Sequence, residues 1–333
     1  MPGGGHRRWD AGTGGRRRPG RSLGPRAALS SAWLLCEPNV SEGRNPRRMA
    51  RFAAAVEGIH GVELLHRSAD PDHHRMVLAY RGTPAAVVHA TTALAAAVYA
   101  EVDLRRHRGR HPRIGALDVV PFVRGPGCPE VDALDASRSF GEWAARRGVP
   151  VFFYERAATM PERTSLPRIR SGQFEGLAAK LSSPEWRPDL GPPAPHPSLG
   201  AVAVGVREPL VRFNVNLETA DPGPARRIAA AIRESGGGLR HVRALGIPLR
   251  RRGMTQVSMN LTRYAATGIE PVYERVAERA RAEGVALAGC EFIGPVPAGA
   301  IRGLDPARLD ADLAPEQILD LPGTGDGEEG GEA

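Results

Sequence analysis

The chain has 333 residues, of which 41% are hydrophobic and 25% charged, which is typical of a soluble globular protein with one large or two ordinary domains. Its formal net charge of +8 lies mostly in residues 1–30, which hold seven arginines and one aspartate, so the charge is weak evidence for nucleic-acid binding. No apolar run approaches the roughly 20 residues of a membrane-spanning helix, so we expect no membrane association. Three cysteines without a CxxC pair, Cys36, Cys128 and Cys290, indicate a reducing cytoplasm and argue against a thiolate zinc site.

Residues 1–31 form an Arg/Gly-rich extension that is predicted to be disordered, and order is expected from residue 32. In the first half, a capping side chain followed by proline marks two helix starts, Asn45-Pro46 and Thr83-Pro84. A further helix is predicted around Ser137–Arg147. The predicted strands of this half are Trp33–Cys36, Val62–Leu65, Met76–Tyr80, Leu117–Phe122 and Val149–Tyr154.

The same order of elements recurs in the second half, where Asp221-Pro222 opens a helix and a second helix covers Pro271–Ala282. The predicted strands here are Val211–Leu217, Leu239–Leu249, Gln256–Leu261 and Val285–Phe292. The fold class is therefore α/β (α+β), with two similar ferredoxin-like β-α-β-β-α-β subdomains and a ligand cleft between them. We place these subdomains at residues 32–200 and 201–304, and we expect residues 305–333 to form a mobile, acidic, Gly-rich tail.

His111 is the first candidate for proton transfer. Pro112 directs it towards extended geometry, and Gly109 and Gly115 give the backbone freedom on either side. A histidine on a Gly/Pro loop at the entrance of a strand is a common proton-transfer arrangement, and a structural or solvated histidine is the simpler alternative.

Two polar segments are further candidates. Asn39, Ser41 and Glu42 precede the first helix, where they offer polar groups beside a helix N-terminus or form only a capping loop. Asp70 and Arg75 bound a stretch rich in Asp and His. Because this stretch has no helical metal-ligand spacing, we prefer a pocket wall in which Arg75 binds an anionic group, and we predict no metal.

The segment from Gly191 to Gly200 contains four prolines and two glycines, which exclude regular structure and fit an interdomain linker. A set of motifs nevertheless gives it another meaning. From Leu34 to Leu304 the chain contains, in order, CEPNVSEGR, ADPDHHRMV, GRHPRIGALDVVPF, VPVFFYERAA, LPRIRSGQFEGL, EWRPDLGP, HPSLGAVAVG, FNVNL and QVSMNL. Together these motifs resemble the glutamate formimidoyltransferase family, the formiminotransferase part of formiminotransferase-cyclodeaminase.

The resemblance implies two similar α/β subdomains, a catalytic role for His111 and a cleft that binds the co-substrate tetrahydrofolate and N-formimidoyl-L-glutamate. It also implies a homodimer, and it leaves a separate cyclodeaminase as a possible partner. Substrate carboxylates need cations, for which Arg75 and Arg113 are the nearest candidates, while Asp118 either orients the histidine or ends the strand. The folate-binding segment that the resemblance implies comprises Gly191, Pro192, Pro193, Ala194, Pro195, His196, Pro197, Ser198, Leu199 and Gly200.

The chain departs from the family at Arg110, where glutamate is common. A like charge beside His111 is expected to lower the pKa of the imidazole. Two alternatives to the main function stay open. One is a related folate enzyme that acts on 5-formyltetrahydrofolate or another formimino donor. The other is a basic nucleic-acid-binding protein, which the 5% aromatic content disfavours, so no nucleic-acid partner is predicted.

Overall fold

The computed structural model describes residues 32–321, which form two subdomains, each built on its own β-sheet. The strands of the first are β1 (Leu34–Cys36), β2 (Asn39–Val40), β3 (Val62–Asp70), β4 (Arg75–Gly82), β5 (Leu117–Arg124), β6 (Val151–Glu155) and β7 (Val202–Val206). Its helices are α1 (Pro46–Glu57), α2 (Pro84–Glu101), α3 (Glu130–Ala145), α4 (Leu166–Arg170) and α5 (Leu177–Leu181). The strands of the second are β8 (Val211–Leu217), β9 (Val242–Leu249), β10 (Met254–Leu261), β11 (Leu287–Phe292), β12 (Val296–Pro297), β13 (Ala311–Asp312) and β14 (Ile318–Leu319). Its helices are α6 (Pro222–Ile232) and α7 (Ile269–Ala282).

The first sheet has the strand order β3, β4, β1 with β2, β5, β7 and β6. The pairs among β1 to β5 are antiparallel, whereas β7 runs parallel to both β5 and β6. Strand β7 is not among the predicted elements. The predicted boundary between residues 200 and 201 precedes β7, whereas β7 belongs to the first sheet, and the chain enters the second sheet at Val211.

The second sheet has the order β13, β11, β8, β10 and β9, with β13 parallel to β11 and the other pairs antiparallel. The predicted mixed α/β architecture with two subdomains is confirmed. The finer ferredoxin-like description of each subdomain stays a prediction. Among residues 32–321, no helix has the length and apolar composition needed to cross a membrane.

The predicted helix starts are confirmed where a capping side chain precedes proline. Asn45 Oδ1 accepts from two backbone N–H groups of the first turn of α1, at 3.1 and 3.2 Å, and Thr83 and Asp221 cap α2 and α6 in the same way. Helix α3 begins at Glu130, well before the predicted Ser137. The acidic residues of its first turn favour this earlier start, because they face the positive end of the helix dipole.

Strand alternation in β8 determines which side of the second sheet faces the first subdomain. Its apolar residues Phe213 and Val215 are buried in a core with α6 and α7. Residues on the opposite face are polar, and one of them, Arg212, donates from Nη1 to Glu37 Oε1 of the first subdomain at 2.7 Å. The other oxygen of Glu37 accepts from Arg207, which lies between the two sheets. The polar face of the second sheet therefore lies against the first subdomain.

The stretch from residue 305 onward, predicted as a mobile tail, contributes packed structure up to residue 321. It supplies β13 to the second sheet and β14, which pairs with β12. Leu319 and Leu321 are buried against Trp33 and Leu35 of the first sheet. The chain therefore returns from the second subdomain to the first, because apolar residues in this acidic stretch are buried there. Residues 1–31 and 322–333 lie outside the described residues, so the predictions for them stand untested.

Candidate functional site

The loop that carries His111 is packed on the turn between β3 and β4. A side chain at Gly109 would lie 2.3 Å from the backbone oxygen of His73, so only glycine fits there. The backbone N–H of Arg110 donates to Asp72 O at 3.1 Å. The base of the loop is closed by Arg113 Nε, which donates to His107 Nδ1 at 3.1 Å. The loop is therefore held in place on both sides of His111.

The imidazole of His111 has a defined tautomer. Nδ1 donates to the backbone oxygen of Pro112 at 2.8 Å, which leaves Nε2 as an acceptor that contacts the guanidinium of Arg75. Burial and the nearby charges of Arg75 and Arg170 lower the pKa of His111 well below its usual value. The sequence also led us to expect a lowered pKa for His111, but from the charge of Arg110. Arg110 is exposed and is not among the causes of the shift.

Three arginines from separate elements, Arg75, Arg170 and Arg212, form an arginine cluster centred on Arg75, which contacts His111. Burial, together with the charges of Arg170 and Arg212, lowers the pKa of Arg75 to about 9, so its guanidinium is still charged at neutral pH. Among the described residues, Arg170 pairs with Asp118 and Arg212 with Glu37, whereas Arg75 forms no ion pair within 4.0 Å. Arg75 is thus the member of the cluster that is best placed to bind an anion.

Asp118 is buried at the start of β5, and its contacts are to the loop and to α4. Oδ1 accepts from the backbone N–H of Ile114 at 2.7 Å, and Oδ2 pairs with Arg170. Among residues 32–321, these hydrogen bonds of Asp118 do not reach the imidazole of His111. Asp118 therefore fixes the end of the His111 loop and the position of Arg170.

Arg113 is engaged within the same framework. Its guanidinium forms a two-pronged ion pair with Glu175, at 2.7 and 2.8 Å, in addition to the bond to His107. Burial lowers the pKa of His107 to about 4, which keeps this imidazole neutral and able to accept that bond. A substrate carboxylate would have to displace Glu175 to reach Arg113, so Arg75 is the better candidate for that contact.

Glu42 holds the loop that leads into α1, whose capping residue is Asn45. Its Oε1 accepts from the backbone N–H groups of three successive residues, Gly43, Arg44 and Asn45, at 2.9 to 3.1 Å. Although burial opposes ionisation, these bonds and those from His74 and Arg48 lower the pKa of Glu42 to about 2. The carboxylate therefore stays charged and holds the entrance of the helix.

The other predicted polar residues also make local contacts. Ser41 Oγ donates to Gly115 O at 2.7 Å, and Asn39 Nδ2 donates to Glu37 O at 3.3 Å. Asp70 Oδ1 accepts from the backbone N–H groups of the next turn, at 2.7 and 2.8 Å. Within residues 32–321, no three His, Cys, Asp or Glu side chains are grouped so that they could hold a metal ion.

A small cavity of about 10 Å³, room for about one water molecule, brings most of these side chains together. It is lined by Val40, Ser41, His73, His74, Arg75, His107, His111, Arg113 and Asp118. Five predicted site residues are in this set, whereas Asn39, Glu42 and Asp70 are not. Glu42 borders an open pocket of about 490 Å³ at the start of α1, whose wall includes Arg44, Arg47 and Arg48. His74 lines both the cavity and this pocket.

The predicted folate-binding segment runs beside the His111 loop. Its first residues, 191–194, are exposed, whereas Leu199 and Gly200 are buried. Leu199 O accepts from the N–H of Ala116 at 2.9 Å, and Ser198 O accepts from the N–H of Leu104 at 2.8 Å. The segment is therefore anchored to both ends of the stretch that contains His111, and its proline-rich start faces solvent.

Several polar residues of the structure were not predicted as site residues from the sequence. Arg170 and Arg212 complete the arginine cluster. On the polar face of the second sheet, Asn216 Nδ2 and Gln256 Nε2 donate to the carboxylate of Glu291 at 2.8 and 3.0 Å. The strict alternation in FNVNL, with apolar Phe213 and Val215 between polar neighbours, is the sequence signal for such a face.

Comparisons with known proteins agree on one family. The family model described as "Formiminotransferase domain, N-terminal subdomain" matches residues 33–207, and the model "Formiminotransferase domain" matches residues 212–307. The chain is 40% identical to a glutamate formimidoyltransferase of Streptococcus pyogenes, a match that covers 80% of this chain and 89% of the relative. It is 36% identical to a glutamate formimidoyltransferase of Thermoplasma acidophilum, with 80% and 88% covered.

A longer relative is also similar. The chain is 37% identical to formimidoyltransferase-cyclodeaminase of Rattus norvegicus, over 85% of this chain and 53% of the relative. The chain thus spans most of the two microbial relatives and about half of the animal one.

Proposed function

Because the chain belongs to the formiminotransferase family, we propose that it is a glutamate formimidoyltransferase, which transfers the formimino group of N-formimidoyl-L-glutamate to N5 of tetrahydrofolate. The observation that carries this proposal is the neutral imidazole of His111, which lines one cavity with Arg75 and Asp118. All residues that line this cavity lie within the matched N-terminal subdomain. Tetrahydrofolate is the co-substrate.

The chemistry requires one group that accepts a proton and then returns it. N5 of tetrahydrofolate attacks the formimino carbon, a new C–N bond forms, and the N5 proton leaves to a base. The resulting tetrahedral intermediate then breaks its bond to the glutamate nitrogen, which takes up a proton and departs as an amine. His111 Nε2 serves both steps, because Nδ1–H is held by the Pro112 carbonyl.

Arg75 links substrate binding to this base. Its guanidinium contacts His111 Nε2 and helps to lower the pKa of the imidazole. A substrate carboxylate that pairs with Arg75 offsets this charge and competes for the guanidinium. Binding of the donor therefore frees Nε2 and raises the pKa of His111 towards the range in which an imidazole exchanges protons near neutral pH.

The remaining predicted residues take supporting places in this proposal. Ser41 and Asp118 line the cavity, while Asn39, Glu42 and Asp70 shape the backbone around it. Residues 191–200 bind tetrahydrofolate along the edge of the cleft, with their exposed prolines towards the ligand. Arg113 holds the loop.

We further propose that the enzyme works in the cytoplasm as a homodimer and that a separate cyclodeaminase consumes its product. The cysteines support the first point, since all three are free and buried, which fits a reducing compartment. The rat relative supports the last, because its name joins the two activities.

The test is a transfer assay with the purified protein. With N-formimidoyl-L-glutamate, tetrahydrofolate and a coupled cyclodeaminase, the absorbance of 5,10-methenyltetrahydrofolate should rise. His111→Ala should keep the fold and lose about 10²- to 10⁴-fold in kcat, the usual contribution of a general acid–base. His89→Ala, an exposed histidine of α2, is the matched control and should keep full activity. Full turnover by His111→Ala would remove the assignment, and turnover only with 5-formyltetrahydrofolate would identify a related folate enzyme.

A further inference from the structure

Lys180 is the single lysine among the 45 basic residues of the chain. Arginine occupies all the other basic positions, including those in buried ion pairs. An ammonium and a guanidinium differ in shape and in the directions of their donors, so the contacts of this one lysine are of interest.

The ammonium of Lys180 binds the end of α4. Its Nζ donates to three backbone oxygens at the end of α4, those of Arg168, Ile169 (2.8 Å) and Ser171 (3.2 Å). The ammonium also lies over the ring of Trp186, 3.7 Å from its centroid. Three donors spread around one compact charge match three converging carbonyls, whereas the planar guanidinium directs its donors outward in one plane.

Helix α4 depends on such support. It has five residues, fewer than a helix needs for stability of its own, and its terminal carbonyls have no partners within the helix. The positive charge of Lys180 lies at the negative end of this helix, where a cation is favourable. Ile169 anchors the opposite side in a small apolar cluster with Phe152 and Leu177.

The last residue of α4 is Arg170, which pairs with Asp118 and whose charge helps to lower the pKa of His111. We propose that Lys180 is a positioning residue: its ammonium fixes the C-terminal end of α4 and thereby holds Arg170 beside Asp118 and the imidazole. Lys180 itself lies outside the set of side chains that line the cavity.

The experiment uses the full chain with Lys180→Met, which keeps the length of the side chain but removes its donors, and Lys180→Arg, which keeps the charge. Arg227→Met, which removes an exposed cation paired with Glu283 in the second subdomain, is the control. The first readout is the pKa of His111, which is measured without substrate by an NMR titration of the ring protons. Lys180→Met should raise this pKa towards the value in Arg170→Met, and the double variant Arg170→Met/Lys180→Met should show no further rise.

The second readout is transfer activity, which rests on the proposed function. Lys180→Met should lower kcat by roughly 10- to 100-fold, as loss of an outer partner does at other sites, with a smaller change in KM. Lys180→Arg should also have a lowered kcat, although it keeps the positive charge. An unchanged His111 pKa in Lys180→Met, or full activity in Lys180→Arg, would overturn the proposal. If Lys180→Met does not fold, Lys180→Gln replaces it, with the same outcomes. If the unaltered protein has no transfer activity, the proposed function fails while the NMR readout still decides the role of Lys180.

Discussion

Glu37 connects the two subdomains through a buried carboxylate, so its replacement by glutamine should loosen them. The side chain is 3% exposed and accepts from Arg207 and from Arg212, the latter at 2.7 Å. Glutamine keeps the shape but removes the charge, and it leaves the buried guanidinium of Arg207 and the partly buried one of Arg212 without this carboxylate. Breaking a buried pair in this way costs about 3–5 kcal/mol of unfolding free energy.

The pH dependence of this loss follows from the pKa of Glu37. Burial raises that pKa, but the charges of Arg212 and Arg207 outweigh burial, and the net direction is down. A carboxyl whose pKa is lowered in the folded state stabilises it above the unfolded value of about 4.3, and this stability is lost as the pH falls through the folded pKa. The difference between the original protein and Glu37→Gln should therefore be full at pH 7 and shrink in acid.

Urea unfolding with two probes gives the measurement. In a Trp9→Phe background the remaining tryptophans, Trp33, Trp143 and Trp186, all lie in the first subdomain, so their fluorescence reports on that unit, whereas far-UV circular dichroism reports on both. Glu37→Gln should lower the midpoint and separate the two transitions, because the link between the sheets is lost. Glu283→Gln, which removes an exposed ion pair, is the control and should leave the midpoint nearly unchanged. A loss below about 1 kcal/mol with coincident probes would refute the reasoning, since that is the range of a surface pair.

Three further predictions concern the site and its supports. The pH profile of kcat/KM, which reports on the free enzyme, should follow the lowered pKa of His111. The value of kcat/KM should stay level as the pH falls to 6.5 and decline only below it. A decline that begins above pH 6.5 would contradict a neutral imidazole base. Glu42→Gln should cost about 1–2 kcal/mol at pH 7, because an amide oxygen replaces a charged acceptor of three backbone N–H groups before α1. The difference in urea midpoint should vanish between about pH 4 and 2, since the folded pKa of Glu42 is lowered to about 2, and an unchanged midpoint at pH 7 would contradict this role. Tetrahydrofolate at 100 times its Kd should add about 2.7 kcal/mol to the free energy of unfolding and raise the melting temperature of both the unaltered protein and His111→Ala. An unchanged melting temperature in both proteins would argue against folate binding.

The site was only partly predictable from the sequence. The glycine and proline pattern around His111 identified the loop, because backbone freedom and restriction are properties of neighbouring residues. The same pattern did not reveal what sets the pKa of the imidazole. Arg110, the adjacent charge, is exposed, whereas the charges that act come from Arg75 on β4 and Arg170 on α4. Proximity in the chain is a poor guide to electrostatic proximity, since side chains of neighbouring residues often point in different directions.

Capping and alternation were encoded locally, and both appear in the structure where the sequence indicated them. Asn45, Thr83 and Asp221 cap their helices because each side chain reaches backbone N–H groups two or three residues further on. The mixed α/β class follows from the same local signals, repeated in each half of the chain.

The tertiary structure alone decided which of these elements meet. It placed β7 in the first sheet, returned Leu319 and Leu321 to the side of Trp33, and brought Arg212 of the second subdomain to Glu37 of the first. Such contacts join residues far apart in the chain, and they form only when the burial of whole sheet faces outweighs the entropy of closing the intervening loops. The His111 loop is marked in the sequence, but the charges that lower the pKa of its imidazole come together only when β4 and α4, far apart in the chain, pack beside that loop.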